Sequence, residues 1–180
     1  MSRTPLAAAA TLAAVALALT ACAPAADPRP TEQGTPSADA SVTVGLVLEP
    51  DNLDIRHTSG AALEQLLIDN VYQGLVTRSS EDNSIVPVLA TDYEISDDGL
   101  TYTFDIRQGV TFHGGGELTA SDVVTTYTQV KDDETLQGHG DFANVASITA
   151  PDESTVEIVL AEPNADFLFA LTGRAGLVFD

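Results

Sequence analysis

The sequence TDYEISDDGLTYTFDIRQGV, residues 91–110, carries the clearest structural signal in the chain. Two runs rich in Tyr, Thr, Ile and Phe, residues 91–96 and 101–107, flank Asp97-Asp98-Gly99. An Asp-Gly pair between such runs is typical of a hairpin turn, because glycine accepts a positive φ. The apolar positions of the second run alternate with polar ones, and they are Tyr102, Phe104 and Ile106. We therefore predict a β-hairpin with one apolar face and one solvated face.

A helix and a second strand pair are predicted after the hairpin. Thr119 has the position of an N-cap, and Asp122 takes the acidic role of a capping box three residues later. Residues 120–130 have the apolar spacing of an amphipathic helix. The remaining predicted elements are strands at 146–149 and 155–160 and a last helix that opens at 167–171.

The segment before the hairpin also shows periodic patterns. Residues 42–48 alternate in a way that predicts a largely buried strand. Residues 60–73 have apolar residues near helical spacing, with Ser59 as the N-cap and Gly74 as the C-terminal stop. A short strand is predicted at 75–78, a polar turn follows at 79–84, and residues 85–88 carry the chain on through Pro87.

The first 21 residues have the pattern of a secretion signal. Arg3 precedes an Ala/Leu/Val run at 6–19, which spans only about 21 Å as a helix and is too short for a hydrocarbon core of about 30 Å. Leu19-Thr20-Ala21-Cys22 follows and resembles a bacterial lipobox, in which the Cys thiol accepts a diacylglycerol. We expect a lipoprotein signal peptide at 1–21, lipidation of Cys22, and anchoring on the outer face of the bacterial cytoplasmic membrane. The alternative is an ordinary signal peptide with an incidental Cys.

Residues 22–40 are predicted to be a lipidated, disordered tether. The segment contains four prolines and a glycine and has no apolar periodicity, so it has no means of burying a core. The folded part is placed at 41–180.

The charge and the Cys count exclude several classes of protein. The chain of 180 residues has 27 acidic and seven basic residues, for a net charge of −20. Because phosphate neutralisation needs clustered Lys and Arg, we expect no nucleic-acid partner. The single Cys excludes an intramolecular disulfide and a Cys-rich zinc site.

The polar motifs do not form the pattern of a catalytic site. His113-Gly114-Gly115-Gly116 superficially matches the oxyanion motif of lipases and esterases, but no G-x-S-x-G elbow accompanies it. We therefore predict a turn there and a protein that is not an enzyme. The three histidines form no H-x-x-x-H pair, so a metal site would need tertiary convergence, and no cofactor is predicted.

The order of motifs over residues 41–171 resembles the extracytoplasmic solute-binding proteins of peptide/nickel-type ABC importers, the oligopeptide- and dipeptide-binding family. The pieces that carry the resemblance are Leu53-Asp54, VYQGLV at 71–76, VPVLA at 86–90, DDGLTYTF at 97–104, IRQGV at 106–110, Phe112-His113, LTASDV at 118–123, 155–160 and Glu162-Pro163. The chain departs from the family at Ile55, where Pro is usual, and at Gly114-Gly115, where Asp-Gly is usual. Family members are also considerably longer.

The resemblance implies an α/β fold like that of the type II periplasmic binding proteins. Residues 41–180 would form an incomplete N-terminal lobe with a mixed sheet, hairpins and packed helices. In the family, two lobes close around a peptide or other small solute, including nickel and haem, and present it to an ABC permease in the membrane. The resemblance places ligand contact at Thr58, Ser59, Gly60 and Ala61, where small residues expose backbone groups. The alternative is that these residues only cap the helix.

Two functions remain open at this point. The chain is either the N-terminal portion of a lipid-anchored solute-binding protein, or a short acidic lipoprotein that serves as a protein-interaction module. The DNA downstream distinguishes them, since the first predicts a continuing second lobe and neighbouring permease genes. With one lobe alone we expect weak or no solute binding, uncovered sheet edges and self-association.

Overall fold

The computed structural model describes residues 41 and 43–180. The predicted signal peptide at 1–21, the lipidation site Cys22 and the tether at 22–40 lie outside the described residues. Residues 45–180 form one compact unit, and the architecture below is that of this unit. None of the described helices is both long and apolar enough to cross a membrane.

The main sheet has four strands in the order β3-β4-β6-β5, all paired antiparallel. The strands are β3 Ala90–Ile95, β4 Thr101–Ile106, β5 Val145–Thr149 and β6 Thr155–Leu160. The predicted hairpin is confirmed as β3 and β4, and Gly99 has a φ of 70° in its turn. The second predicted strand pair is confirmed as β5 and β6.

A two-stranded sheet, three helices and two short 3-10 helices complete the unit. They are β1 Val76–Arg78, β2 Ile85–Pro87, α1 Ala61–Leu67, α2 Ala120–Asp132, α3 Phe167–Ala170 and the 3-10 helices His139–Phe142 and Arg174–Gly176. The α/β class is confirmed. We expected a mixed sheet, whereas the strands β1–β6 pair only antiparallel, and an isolated bridge between Ile68 and Tyr72 is parallel.

The core lies between α2 and the apolar face of the main sheet. Its fully buried members include Phe104, Val123, Tyr127, Phe142, Val156, Ile158, Phe167 and Leu171. The Tyr127 hydroxyl donates to the Gly176 carbonyl at 2.9 Å, so the C-terminal segment is fastened to α2. Burial raises the pKa of Tyr127 far above its ordinary value.

The N-terminus of α2 forms as its sequence predicts. The Asp122 carboxylate accepts hydrogen bonds from the Thr119 backbone N–H at 2.8 Å and the Thr119 hydroxyl at 2.7 Å. The bond from the Thr119 N–H is the contact that the acidic residue makes in a capping box, and it satisfies one backbone donor at the start of the helix.

The predicted buried strand at 42–48 is wrong over the residues described. Residues 43–48 adopt no strand, and Val47 and Leu48 are 99% and 63% exposed. Alternation marks a possible strand face, but a strand forms only when a neighbouring edge accepts its hydrogen bonds. Within the described part of the chain, residues 43–48 pair with no strand.

The helix predicted at 60–73 is also too long. It ends after Leu67, where the backbone N–H groups of Val71 and Tyr72 both donate to the Leu67 carbonyl and turn the chain. Asp69 takes a positive φ of 62° in this turn. Gly74, the predicted helix stop, instead forms an antiparallel bridge with Leu177. The N-cap is Gly60 rather than Ser59.

Candidate functional site

The candidate site is built on a loop that we call the Asp54 loop, residues 52–60. The Asp54 carboxylate accepts hydrogen bonds from the backbone N–H groups of Arg56 and His57 at 3.1 and 3.2 Å. Its other oxygen lies 2.9 Å from His57 Nδ1. The Thr58 N–H donates to the Asp54 carbonyl at 3.0 Å, which closes the turn. One carboxylate thus gives the loop its shape.

The charge state of Asp54 follows from these contacts. Desolvation raises the pKa of the Asp54 carboxyl, but the hydrogen bonds from His57 and Arg56 and the charge of His57 outweigh it, so the net shift is downward. Asp54 is therefore ionised at neutral pH and remains an acceptor for the loop backbone.

The Asp54 loop is held against the rest of the unit by a small apolar cluster. Ile55, the residue that departs from the family pattern, is buried with Leu63, Leu67 and Leu177. This anchor leaves the neighbouring Asp54 and His57 side chains half exposed at the surface.

We call Thr58–Ala61 the predicted solute-contact segment. Together with residues 48–52 it lines an open groove of about 180 Å³. Ser59, Gly60 and Ala61 are exposed, and a Cβ placed on Gly60 would meet no atom within 4 Å. The structure therefore brings all four predicted residues to one groove.

The capping alternative accounts for only part of this segment. The Gly60 carbonyl accepts the Glu64 N–H at 3.0 Å, so Gly60 is the N-cap of α1. The helix start receives no side-chain capping hydrogen bond, although Ser59 stands next to it. The Ser59 hydroxyl therefore does not cap α1.

The other polar motifs stay apart from this groove. His113-Gly114-Gly115-Gly116 forms an exposed turn in which the Phe112 N–H donates to the Gly116 carbonyl at 2.8 Å. Over residues 41 and 43–180, no group of three or more His, Cys, Asp or Glu side chains is placed to hold a metal ion.

Sequence reasoning missed the residues that fasten the Asp54 loop to α2 and to the segment after it. Gln129 accepts a hydrogen bond from the Arg56 guanidinium at 2.8 Å, and Gln137 donates to the His57 carbonyl at 3.2 Å. Their partners lie more than 70 residues away, so no local pattern indicates them.

Comparison with known proteins places the chain in a family. The family described as "Bacterial extracellular solute-binding proteins, family 5 Middle" matches residues 84–179. The glutathione-binding protein GsiB of Salmonella typhi is 36% identical over 114 residues, which are 63% of this chain and 22% of that relative.

Solved structures show the same fold. The ABC transporter-associated periplasmic binding protein DppA from Helicobacter pylori, in complex with the peptide STSA, matches with a TM-score of 0.62 and 27% identity, over 71% of this chain and 28% of that one. NikZ from Campylobacter jejuni, in complex with Ni(L-His), matches with a TM-score of 0.61 and 26% identity, over 72% of this chain and 25% of that one.

The expected likeness to type II periplasmic binding proteins is thereby confirmed for the part of the fold that is present. The chain spans about a fifth of the length of the curated relatives that it matches. The family match covers more than half of this chain, from β2 to the residues after the last 3-10 helix. The chain belongs to the bacterial extracellular solute-binding proteins of family 5.

Proposed function

We propose that the chain is part of the solute-binding component of an ABC importer, which captures a peptide-like solute and delivers it to a membrane permease. The observation that carries this proposal is the groove at Thr58–Ala61, where exposed backbone and small side chains meet solvent. Extended peptides are held largely through such backbone groups, which gives affinity without strong choice of side chains. Family membership supports the same role.

The solute class is an amino-acid-derived compound with free amide, amino or carboxylate groups. GsiB is named for glutathione, DppA holds a tetrapeptide, and NikZ holds nickel with histidine. These three ligands differ in size and metal content but share amino-acid functional groups. A groove that binds backbone groups rather than a particular side chain can accept the functional groups that these ligands share.

An NMR titration of the purified chain tests the proposed site. Glutathione and an equimolar tetrapeptide pool serve as probes, and sucrose serves as a non-peptide control. We expect weak binding, with shifts concentrated at the amides of Thr58–Ala61, because one lobe leaves half of a solute in water. Micromolar affinity would contradict the expected need for a second lobe, and shifts confined to other surfaces would contradict the placement of the site.

We also propose that Cys22 carries a lipid that anchors the protein on the outer face of the cytoplasmic membrane. The lipobox-like Leu19-Thr20-Ala21-Cys22 after the apolar run supports this modification. A chain with two or more acyl groups stays on the membrane, whereas one acyl chain binds only marginally. Metabolic labelling with palmitate in a bacterial host should label the wild type and not Cys22→Ser, and the variant should leave the membrane fraction. Equal labelling of both would refute the anchor.

A further inference from the structure

Three contacts join the Asp54 loop to the far end of α2 and the segment after it. The Arg56 guanidinium donates to the Gln129 side-chain oxygen at 2.8 Å. The Gln137 backbone N–H donates to the Arg56 carbonyl at 2.7 Å, and its side-chain amide donates to the His57 carbonyl at 3.2 Å. The peptide groups of Arg56 and His57 are thus held from outside the loop.

Arg56 is fixed on a second side by an aromatic ring. Its guanidinium carbon lies 4.9 Å from the centroid of the Phe179 ring, a cation–π distance. Gln129 and Phe179 therefore hold the guanidinium between them. Since the planar group keeps several donors in a rigid fork, this arrangement restricts its rotation more than either contact alone.

The hydrogen bonds inside the loop have a different effect. Those made by the Asp54 side chain join residues two or three positions apart, so they set the shape of the turn without orienting it. On its C-terminal side, the predicted solute-contact segment is fixed by α1 through Gly60. On its N-terminal side, polar attachment to the rest of the unit comes through Arg56 and His57.

We infer that Gln129 and Gln137 are positioning residues for solute recognition, which hold the main chain at Arg56–His57 so that Thr58–Ala61 present their backbone groups to the groove. This inference rests on the proposed function of that segment. The α2 end acts on the solute only through the loop. A displacement of α2 would consequently alter the solute-contact segment from a distance.

Amide hydrogen exchange in the full chain tests the inference. Gln129→Ala combined with Gln137→Ala removes both side-chain contacts but leaves the Gln137 backbone bond. We expect the Arg56, His57 and Thr58 amides to exchange about three- to tenfold faster, as for the loss of one or two ordinary hydrogen bonds. Gln65→Ala, on the exposed face of α1, is the matched control and should leave these amides unchanged.

A conservative variant separates positioning from general packing. Gln129→Glu keeps an acceptor for the Arg56 guanidinium, so in combination with Gln137→Ala it should restore part of the lost protection. The melting temperature of each variant should stay close to that of Gln65→Ala. Unchanged exchange at Arg56–Thr58, or faster exchange throughout residues 45–180 with a lower melting temperature, would overturn the inference.

Glutathione is the probe that links exchange to recognition. In the double variant, the chemical-shift changes that glutathione causes at Thr58–Ala61 should be smaller than in the wild type, because the backbone groups there are less firmly placed. If glutathione causes the same shifts in the double variant as in the wild type and exchange is also unchanged, the positioning role is contradicted and the proposed function is not. A wild-type chain in which glutathione shifts other surfaces but not Thr58–Ala61 contradicts the proposed function, whatever the exchange result.

Discussion

The main sheet and the segment at residues 45–48 are both rich in apolar residues, yet only the sheet buries them. Phe104, in the middle of β4, has no exposed surface, whereas Val47 is 99% exposed. In the sheet, β3 meets β4 across a turn of five residues, and β6 adds its own hairpin partner β5. Within the described residues, the segment at 45–48 meets no strand edge.

The difference shows that apolar alternation and burial are separate conditions. Alternation determines which side chains share a face, and it is encoded by adjacent residues. Burial requires a second surface, which for the sheet is α2 and the C-terminal segment. Four predictions test this contrast between the packed sheet and the open segment.

Truncation of a core aromatic should have the largest effect. Phe104→Ala removes a fully buried ring from β4, so we expect the free energy of unfolding to fall by about 3–5 kcal/mol. Val47→Ala removes apolar atoms that already meet water, and its effect should stay within about 0.5 kcal/mol. Urea unfolding followed by circular dichroism measures both. A large loss in Val47→Ala would show that residues 45–48 are packed in solution and would remove the contrast.

The second prediction concerns Gly176, where the backbone of the packed C-terminal segment lies close to that of Leu171. A Cβ on Gly176 would overlap the Leu171 carbonyl oxygen, so Gly176→Ala must displace backbone. We expect a loss of about 1–3 kcal/mol from this overpacking, measured by thermal unfolding. At Gly140 an added Cβ meets no atom within 4 Å, so Gly140→Ala serves as the control and should melt near the wild type. Equal melting of both variants would mean that the C-terminal segment is loosely packed.

The same contrast explains what the sequence could predict. The hairpin turn at Gly99 and the cap at Thr119 and Asp122 depend on neighbours within a few positions, and both were predicted correctly. The early end of α1 depends on a chain reversal and on a bridge from Gly74 to Leu177, far along the chain. No local pattern contains that information.

The candidate site divides in the same way. The location of Thr58–Ala61 came from a family resemblance, and the structure adds that they share one groove. The residues that attach the loop, Gln129 and Gln137, reach it across 73 and 80 positions of sequence. Gln129 is an exposed glutamine on a helix and Gln137 lies in the turn after it, so nothing in composition or spacing distinguished these two.

The helix cap gives a third, smaller prediction. Asp122→Ala leaves the Thr119 N–H and hydroxyl without their acceptor, and we expect a loss of about 1 kcal/mol. Asp122→Asn keeps an acceptor oxygen and should recover most of that loss. Ser121→Ala, on the exposed side of the same turn, is the control. If the Asp122→Ala variant were as stable as the wild type in urea unfolding, the cap would not contribute to the stability of α2 on the sheet.

The smallest effect is expected at the hairpin turn, where a carboxylate fixes the local geometry. The Asp98 side chain accepts hydrogen bonds from the Ser96 hydroxyl at 2.6 Å and the Leu100 N–H at 3.1 Å. The Ser96 hydroxyl, followed by the Leu100 N–H, lowers the pKa of Asp98 below its ordinary value of 3.8. The stabilisation is therefore complete above the unfolded-state pKa and is lost as the pH falls through the folded-state pKa.

Thermal unfolding of the wild type and Asp98→Asn at a series of pH values tests this sign. The wild type should melt higher at neutral pH, and the difference should shrink below about pH 4, where the wild-type carboxyl takes up its proton. Asp97→Asn, at the neighbouring exposed position, is the control and should melt near the wild type at neutral pH. A difference between wild type and Asp98→Asn that stays constant down to low pH would mean that the ionised carboxylate contributes nothing to the turn. The positive φ of Gly99 and the pairing of β3 with β4 would then be what stabilises the hairpin. The local signal in this turn would be the backbone conformation of Gly99 and not the side chain of Asp98.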